Sequence, residues 1–136
     1  MKSLDDVKHM EDAKHKEDMK HMEDAKHMKY AFMSFSCPDM DLKQLLQTAR
    51  RYGYAGIEPR LGSGHLHGIE LDASDAFLQE AGEMARDSNV SLCCLATSCT
   101  FADPDLAQMN VDVARRTIEL AAKVQAPAIR VFGGRI

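Results

Sequence analysis

The chain has 136 residues and a formal net charge of −4 at pH 7. This length allows a single domain, and the acidic balance offers no basic surface for nucleic acid. We expect no membrane span, because no apolar run approaches the roughly 18 residues that a span needs, and no signal peptide, because the N-terminus lacks an apolar h-region. The four cysteines, Cys37, Cys93, Cys94 and Cys99, match no zinc spacing. We therefore expect reduced thiols in a cytoplasmic protein that has no nucleic-acid or membrane partner.

Residues 1–28 differ in composition from everything that follows. A charged hexapeptide of the type KHMEDA repeats from Lys8 onward. Its copies contain the histidines His9, His15, His21 and His27. A period of six matches neither a helix nor a strand, so no continuous apolar face forms, and the histidines fall on different helix faces, which disfavours a metal site. We predict a low-complexity tail over residues 1–28 and a domain over residues 29–136.

Strand and helix patterns alternate from residue 29 onward. Short apolar runs predict four strands, at residues 30–35, 54–58, 90–96 and 128–132. Three amphipathic stretches between them predict helices. The apolar stripes of these helices are Leu42, Leu45, Leu46, Ala49 and Tyr52; Phe77, Leu78, Ala81, Met84 and Ala85; and Leu106, Met109, Val113, Thr117, Leu120 and Val124.

Capping residues set the predicted ends of the helices. Asp41 is an N-cap with Gln44 in the capping-box position, and Gly53 ends the first helix. Ser74 or Asp72 begins the second helix. The third helix begins at the Asp103-Pro104 pair and stops before Pro127, and Asn89 is the left-handed stop of the second.

The alternation of strands and helices predicts a parallel sheet with right-handed crossovers. A doubly wound sheet and a (β/α)8 barrel cut after its fourth strand both satisfy this order. Glu58 and Arg130 fall on the face opposite to Ile57 and Ile129. That face is apolar in a doubly wound sheet, whereas in a barrel it lines the lumen, where alternate strands share a layer. A Glu58–Arg130 lumen pair therefore favours a partial TIM barrel of four strands and three helices.

The candidate site is the segment that ends the second strand, residues 56–60, with the loop 61–68 behind it. Pro59 ends the strand, and the loop contains three glycines, which let backbone approach a ligand. Sites in α/β proteins lie at the carboxyl ends of strands, and an arginine fork suits carboxylate or phosphate. The predicted substrate-binding residues are Glu58, Arg60, His65 and His67. The alternative is a solvated loop whose charges satisfy one another.

Four segments appear in an order and spacing that resemble a known family. They are Tyr54-Ala-Gly-Ile-Glu-Pro-Arg60, Gly64-His-Leu-His-Gly68, Leu92-Cys-Cys-Leu-Ala-Thr-Ser-Cys99 with Phe101-Ala-Asp-Pro104, and Ile129-Arg-Val-Phe-Gly-Gly134. Together they resemble the N-terminal half of the xylose isomerase-like TIM barrels, the sugar phosphate isomerases and epimerases, over residues 29–136. The resemblance implies proton transfer between adjacent carbons of a sugar. It also implies a divalent metal, Mn²⁺, Mg²⁺, Co²⁺ or Zn²⁺, held by Glu, Asp and His residues of later strands.

Because those later strands lie outside this sequence, the resemblance assigns no catalytic residue and no metal ligand here. Our hypothesis is the N-terminal half of a metal-dependent sugar (phosphate) isomerase or epimerase. We expect this isolated chain to be inactive, to bind no metal alone and to self-associate through open sheet edges. One alternative is an endonuclease IV-like metal-dependent phosphodiesterase, which the acidic balance disfavours. The other is a non-enzymatic orphan half-barrel.

Overall fold

A computed structural model of the chain describes residues 14–16 and 28–134. Residues 14–16 form an exposed helical turn, and the rest of the predicted tail lies outside the described residues. In residues 28–134 the strands are β1 (Ala31–Met33), β2 (Gly56–Glu58), β3 (Ser91–Leu92), β4 (Leu95–Thr100) and β5 (Ile129–Phe132). The helices are α1 (Leu42–Tyr52), α2 (Asp75–Asp87) and α3 (Pro104–Lys123). None of the helices described is long and apolar enough to cross a membrane.

The strands lie side by side in chain order and are all parallel. β1 pairs with β2, β2 with β3, and β4 with β5. A single bridge between Arg60 and Ala96 continues β2 alongside β4. β3 and β4 both lie beside β2 and therefore count as two parts of one strand of the sheet. The sheet then has four strand positions in chain order, namely β1, β2, β3 with β4, and β5. The prediction of a parallel α/β protein is confirmed at this level.

Two predicted strands differ from those observed. The strand predicted at residues 90–96 is broken at Cys93-Cys94, because Cys93 N–H donates to the Ile57 carbonyl at 3.0 Å whereas Leu95 N–H donates to the Ala128 carbonyl at 3.0 Å. In a regular strand these two N–H groups would point to the same side, so the alternation shifts by one residue here. Ala96 N–H again donates to the β2 side, at the Pro59 carbonyl, and β4 then runs on to Thr100. The strand predicted at residues 30–35 ends at residue 33, because a 3₁₀ turn, Ser34–Ser36, follows it.

The helix ends follow the predicted caps. The Asp41 carboxylate accepts from Gln44 N–H at 2.8 Å, and the Gln44 side chain accepts from Asp41 N–H at 2.9 Å, so the capping box is confirmed. Gly53 has φ +75 and ends α1 in the left-handed region. Ser74, rather than Asp72, caps α2, since its hydroxyl accepts from Phe77 N–H at 3.2 Å.

Helices α1 to α3 pack against one face of the sheet. Ile57, Leu92 and Leu95 supply the strand side of the core. Each right-handed crossover advances the chain one position in the same direction, which keeps all three helices on this face. The opposite face carries side chains of intermediate burial among the described residues: Met33, Glu58, Cys93 and Arg130. We call it the open face.

Three residues predicted to be buried on helix stripes are exposed instead, namely Tyr52, Leu106 and Met109. Tyr52 is the last residue of α1, and its ring packs 5.5 Å from the Arg51 guanidinium carbon. Leu106 and Met109 lie in the first turns of α3, where burial begins only at Asn110.

Candidate functional site

The carboxyl ends of β1, β2 and β4 meet at Arg60. The backbone fixes this residue, because Ala96 N–H donates to the Pro59 carbonyl and Leu61 N–H donates to the Ala96 carbonyl, both at 2.9 Å. Pro59 ends β2, but the chain at Pro59 is still hydrogen-bonded to β4 through Ala96. Arg60 therefore stands at the same edge of the sheet as the last residues of the neighbouring strands.

Ser34 joins three segments at this edge. Its side chain is almost fully buried in the turn after β1. The hydroxyl oxygen accepts from Arg60 N–H at 2.9 Å and lies 2.8 Å from His65 Nδ1. The ring of His65 packs edge-on against Phe35, with 5.0 Å between centroids. Ser34 thus ties β1 to the end of β2 and to the loop that follows it.

His67 has both ring nitrogens engaged within the chain. Its Nδ1 accepts from Ile69 N–H at 3.0 Å, and its Nε2 lies 3.1 Å from the Arg60 carbonyl oxygen. A carbonyl only accepts, so Nε2 carries the proton and the ring is neutral. The side chain is 1% exposed. Desolvation lowers the pKa of His67, the bond to Arg60 opposes this, and the neighbouring His65 adds to the lowering.

Arg60 and Glu70 each hold a buried polar atom without a hydrogen-bond partner among the described residues. The Nη2 of Arg60 donates to the Ser98 hydroxyl, and the guanidinium carbon lies 5.9 Å from the Phe35 ring centroid, but Nη1 is unpartnered. The Oε2 of Glu70 accepts from Gly62 N–H at 2.8 Å, and Oε1 is unpartnered. Burial raises the pKa of Glu70, which the Gly62 bond opposes. A donor and an acceptor are thus both unused at this edge.

A cavity of about 340 Å³ opens beside this edge, between the loop after β2 and helix α3. Glu70 and Ser98 line it, together with Asn110 and Arg116. Its volume is within the range of small-molecule sites, and its polar lining contains both donors and acceptors. A larger cavity of about 640 Å³, lined by residues such as Tyr30 and Ser91, lies at the amino ends of the strands. Sites in α/β sheets form at the carboxyl ends, so the smaller cavity is the candidate.

The open face holds an ion pair between the second and fourth strand positions. Arg130 Nε donates to Glu58 Oε1 at 2.7 Å, with side chains 38% and 18% exposed. Among the residues that the structure describes, Arg130 Nη2 has the sulfur of Met33 as its hydrogen-bond partner, at 3.2 Å. The alternation of residues along the strands predicts this contact, and the structure shows it.

Burial raises the thiol pKa of both Cys93 and Cys94, and the charge of Glu58 raises it further. These thiols are therefore protonated at neutral pH and are poor nucleophiles. They serve as small side chains on and beside the open face.

The structure brings together three of the four predicted site residues, Arg60, His65 and His67, and the last two have ring centroids 5.9 Å apart. Glu58 stands apart from them, in its pair on the open face. Sequence analysis missed Ser34, Ser98 and Glu70. For Ser34 and Ser98 the available signal was a polar side chain at or just beyond the end of a predicted strand, whereas Glu70 lies beyond the glycine-rich loop and had no such signal. Substrate contact by any of these residues remains a prediction.

Within residues 14–16 and 28–134, no three His, Cys, Asp or Glu side chains are grouped so as to hold a metal ion. His67, the most buried histidine described, has no nitrogen to spare. The described residues therefore do not fit the divalent metal that the resemblance implies, and we route no chemical step through a metal here.

Comparison with known proteins gives no match, either to a family model or to a curated sequence. The fold and the site geometry thus define an α/β protein with a parallel sheet and a polar cluster at the carboxyl ends of its strands.

Proposed function

We propose that residues 29–136 form the first four strand positions of a (β/α)8 barrel of the xylose isomerase-like type, and that the barrel is a metal-dependent sugar (phosphate) isomerase or epimerase. The strand order supports the fold. A doubly wound sheet reverses its order at a switch point, whereas a barrel advances one strand at a time. Here the order advances without a reversal from β1 to β5.

The uncovered face also favours a barrel. Helices α1 to α3, the helices of residues 28–134, cover one face only, and Glu58 and Arg130 project from alternate strand positions on the other. Alternate strands contribute side chains to one layer of a barrel interior. An ion pair at this place is expected for a lumen and unexpected for a sheet that has helices on both sides.

The observation that carries the functional part is the unused pair of atoms, Arg60 Nη1 and Glu70 Oε1. A hydroxyl group accepts from an N–H and donates to a carboxylate, so a polyhydroxylated ligand satisfies both. A phosphate or carboxylate on the same ligand suits the guanidinium. We assign ligand contact to Arg60 and Glu70, with His65 as a further contact because only its Nδ1 is bonded within the described residues.

Other residues of the cluster hold these groups in place. Ser34 fixes the backbone of Arg60 and the ring of His65, and His67 holds the loop against the end of β2. The metal, which polarises the sugar carbonyl in such enzymes, and the carboxylates that move the proton belong to later strands in this proposal. The chain by itself then binds a sugar weakly and turns nothing over. The cytoplasmic location remains a prediction.

Sugar binding by the chain tests this proposal. Aldoses, ketoses and their phosphates are titrated into the chain, and binding is followed by NMR shifts of the residues around the cavity. We expect Arg60→Gln and Glu70→Gln each to weaken binding by about tenfold, the effect of one lost charged hydrogen bond. Arg50→Gln and Glu80→Gln, on exposed helix positions, are the matched controls.

Two outcomes would overturn the assignment. If sugars bind equally well to both cluster variants, the site lies elsewhere. If the isolated chain turns over a sugar, the proton-transfer groups are within it and the half-barrel placement is wrong. Sugar binding at this site would also count against the phosphodiesterase alternative.

A further inference from the structure

The hydrogen bond between Ser34 and His65 decides which nitrogen of the His65 ring carries the proton. We propose that Ser34 holds His65 as the neutral Nε2–H tautomer, and that His65 and Arg60 together form a two-donor site for an anionic oxygen of the ligand, from a phosphate or a carboxylate. His65 then anchors an oxygen and is not the base that removes a proton. This inference rests on the proposed function for its ligand, but not for the state of the ring.

The hydroxyl of Ser34 has one proton to donate. Its oxygen accepts from Arg60 N–H at 2.9 Å and lies 2.8 Å from His65 Nδ1. The residue is 1% exposed, and His65 Nδ1 is the one acceptor within hydrogen-bond distance of this hydroxyl among the described residues. A neutral imidazole has one nitrogen that accepts and one that donates. Ser34 O–H therefore donates to His65 Nδ1, and the ring proton is on Nε2.

The other tautomer leaves a buried donor without a partner. With its proton on Nδ1, His65 would donate to Ser34. The Ser34 oxygen would then receive two N–H groups, while its own O–H would face no acceptor among the described residues. Such an unsatisfied buried donor disfavours this tautomer by about tenfold or more. A base needs a lone pair that faces the substrate, and in the favoured tautomer the lone pair of His65 faces Ser34.

The Nε2–H group of His65 lies near a second unused donor. His65 is 9% exposed, and its bond to Ser34 is its one hydrogen bond among the described residues. Its ring packs edge-on against Phe35, with 5.0 Å between centroids, and the guanidinium carbon of Arg60 lies 5.9 Å from the centroid of the same Phe35 ring. Nη1 of Arg60 has no partner in residues 14–16 and 28–134. Two donors thus lie beside one aromatic ring.

Two donors without an acceptor select an anionic oxygen. Neither a guanidinium nor an Nε2–H group can accept a hydrogen bond. The ion pairs formed among the described residues do not include Arg60, so its charge has no salt-bridged counter-ion there. Hydrogen bonds from a cation to phosphate or carboxylate are about twice as strong as neutral ones. Glu70, the acceptor of the cluster, is left for a hydroxyl of the same ligand.

Nitrogen NMR of the histidine rings tests the tautomer without any ligand. At pH 8.5 an imidazole of ordinary pKa is neutral, and its protonated and unprotonated nitrogens have well-separated shifts. We expect the His65 proton on Nε2 in about nine tenths of the molecules or more. His65→Asn identifies the His65 signals by their loss. His67, whose Nε2 donates to the Arg60 carbonyl, is the internal reference for the same tautomer.

Two variants test Ser34 as the positioning residue. Ser34→Ala removes the donor to Nδ1, and Ser34→Thr keeps a hydroxyl. We expect the Nδ1 shift and the tautomer ratio of His65 to change in Ser34→Ala and to return towards the wild-type values in Ser34→Thr. A residue that only filled space would alter neither. A wild-type ring protonated on Nδ1 would overturn the proposal whether or not the variants fold, and an Nδ1 signal unchanged by Ser34→Ala would show that Ser34 does not set the tautomer.

Three forms of one sugar test the ligand, namely ribose, ribose 5-phosphate and ribonate. Each is titrated into the wild-type chain, His65→Asn and His65→Gln. The amide of asparagine reaches only as far as Nδ1, so it keeps an acceptor for Ser34 but loses the donor at Nε2. The amide of glutamine reaches the place of Nε2. We expect one anion to bind at least about tenfold more tightly than ribose, His65→Asn to weaken that binding by about tenfold, and His65→Gln to retain most of it.

The results separate the two ligand sources and the two proposals. The more tightly bound anion identifies the group as phosphate or carboxylate. Anions that bind no better than ribose, or that bind equally to the wild-type chain and His65→Asn, would overturn the anion site while leaving the sugar site of the proposed function in place. If none of the three compounds binds, the anion site and the proposed function fail together, and the tautomer is still decided by the ring measurement.

Discussion

Polar side chains collect in two regions of this molecule, and the two regions satisfy them differently. In the loop after β2, His67 uses both of its nitrogens and Ser34 bridges Arg60 and His65, all within hydrogen-bond distance. On the open face, Arg130 makes one strong hydrogen bond, from Nε to Glu58, and its Nη2 contacts only the weakly accepting sulfur of Met33 among the described residues. The ring of His67 has every bond made within the fold, whereas Arg60 and Glu70 beside it, and Arg130 on the open face, keep unused bonding capacity among the described residues.

This difference separates structural polar groups from those available to a partner. A buried group with every bond made stabilises the fold and has nothing left for a ligand. A charged group with unused donors pays a desolvation cost unless a partner arrives. The two histidines by themselves would mark the loop as the functional region. Both ring nitrogens of His67 are already hydrogen-bonded within the chain, however, so we give His67 a structural role. This leaves Arg60, Glu70 and Arg130 as the groups that can bind something else.

The largest effect should come from breaking the closed region. His67→Ala leaves the Arg60 carbonyl and the Ile69 N–H without partners and opens a cavity. Each unsatisfied buried group costs about 1–3 kcal/mol, so we expect the free energy of unfolding to fall by about 3–5 kcal/mol. Urea unfolding followed by circular dichroism measures it. Leu66→Ala, at the exposed neighbouring position, is the control and should change stability by less than about 0.5 kcal/mol. A loss below about 1 kcal/mol would mean that the loop is not held by His67.

The lowered pKa of His67 makes the same region sensitive to acid. The unfolded chain takes up a proton near pH 6.5, whereas the folded chain does so only at a lower pH. The stabilisation is therefore complete above pH 6.5 and is lost as the pH falls from there towards the folded-state pKa, by at most about 1.4 kcal/mol per pH unit. Unfolding free energies at pH 7.5 and 5.5 should differ more for the wild-type chain than for His67→Gln. Identical differences would show that the ring is not held neutral.

The ion pair of the open face should contribute less to the free energy of unfolding than His67 does, because solvent reaches the pair. A double-mutant cycle on Glu58→Gln and Arg130→Gln, at concentrations low enough to keep the chain monomeric, measures the coupling. A fully buried pair broken on one side loses about 3–5 kcal/mol, but Arg130 is 38% exposed. We therefore expect a coupling of about 1 kcal/mol. Strict additivity would mean that the two side chains do not interact in solution, and the argument for a shared barrel layer would lose its main support.

The structural features that could be predicted from the sequence are those that depend on residues close together in the chain. The capping box needs only Asp41 and Gln44, three positions apart, and the stop at Gly53 needs only its own φ. The contact between Glu58 and Arg130 followed from strand alternation once the strands were placed. Features that depend on distant backbone were not predictable in this way. The break at Cys93-Cys94 is one of these, because it appears only in the bonds to the neighbouring strands: the N–H groups of Cys93 and Ala96, an odd number of residues apart, both donate to the β2 side.

The role of His67 was missed for the same reason. Its bond to the Arg60 carbonyl exists only because the loop folds back on the end of β2. Glu70 was missed as well, because it lies beyond the glycine-rich loop and becomes buried only when Gly62 N–H donates to it. Residue type and spacing suggest where a site lies, but the remaining bonding capacity of each group appears only in the folded chain.

Glu70 should give the smallest effect, and one of opposite sign. Its raised pKa means that the folded chain binds the proton more tightly than the unfolded chain does, so stability falls as the pH rises from about 4.5 through the folded-state pKa.

Glu70→Gln removes the charge and keeps an acceptor for Gly62 N–H. We expect the variant to be more stable than the wild-type chain at pH 7.5, by about 0.5 kcal/mol, and the gap to shrink at pH 4. Urea unfolding at both pH values measures the gap, with the exposed Glu80→Gln as the control. A residue whose charge costs stability, and whose Oε1 has no partner among residues 14–16 and 28–134, is suited to bind a ligand. A Glu70→Gln variant less stable than the wild-type chain at pH 7.5 would instead show that the carboxylate is satisfied in the fold, and Glu70 would then join His67 among the structural groups.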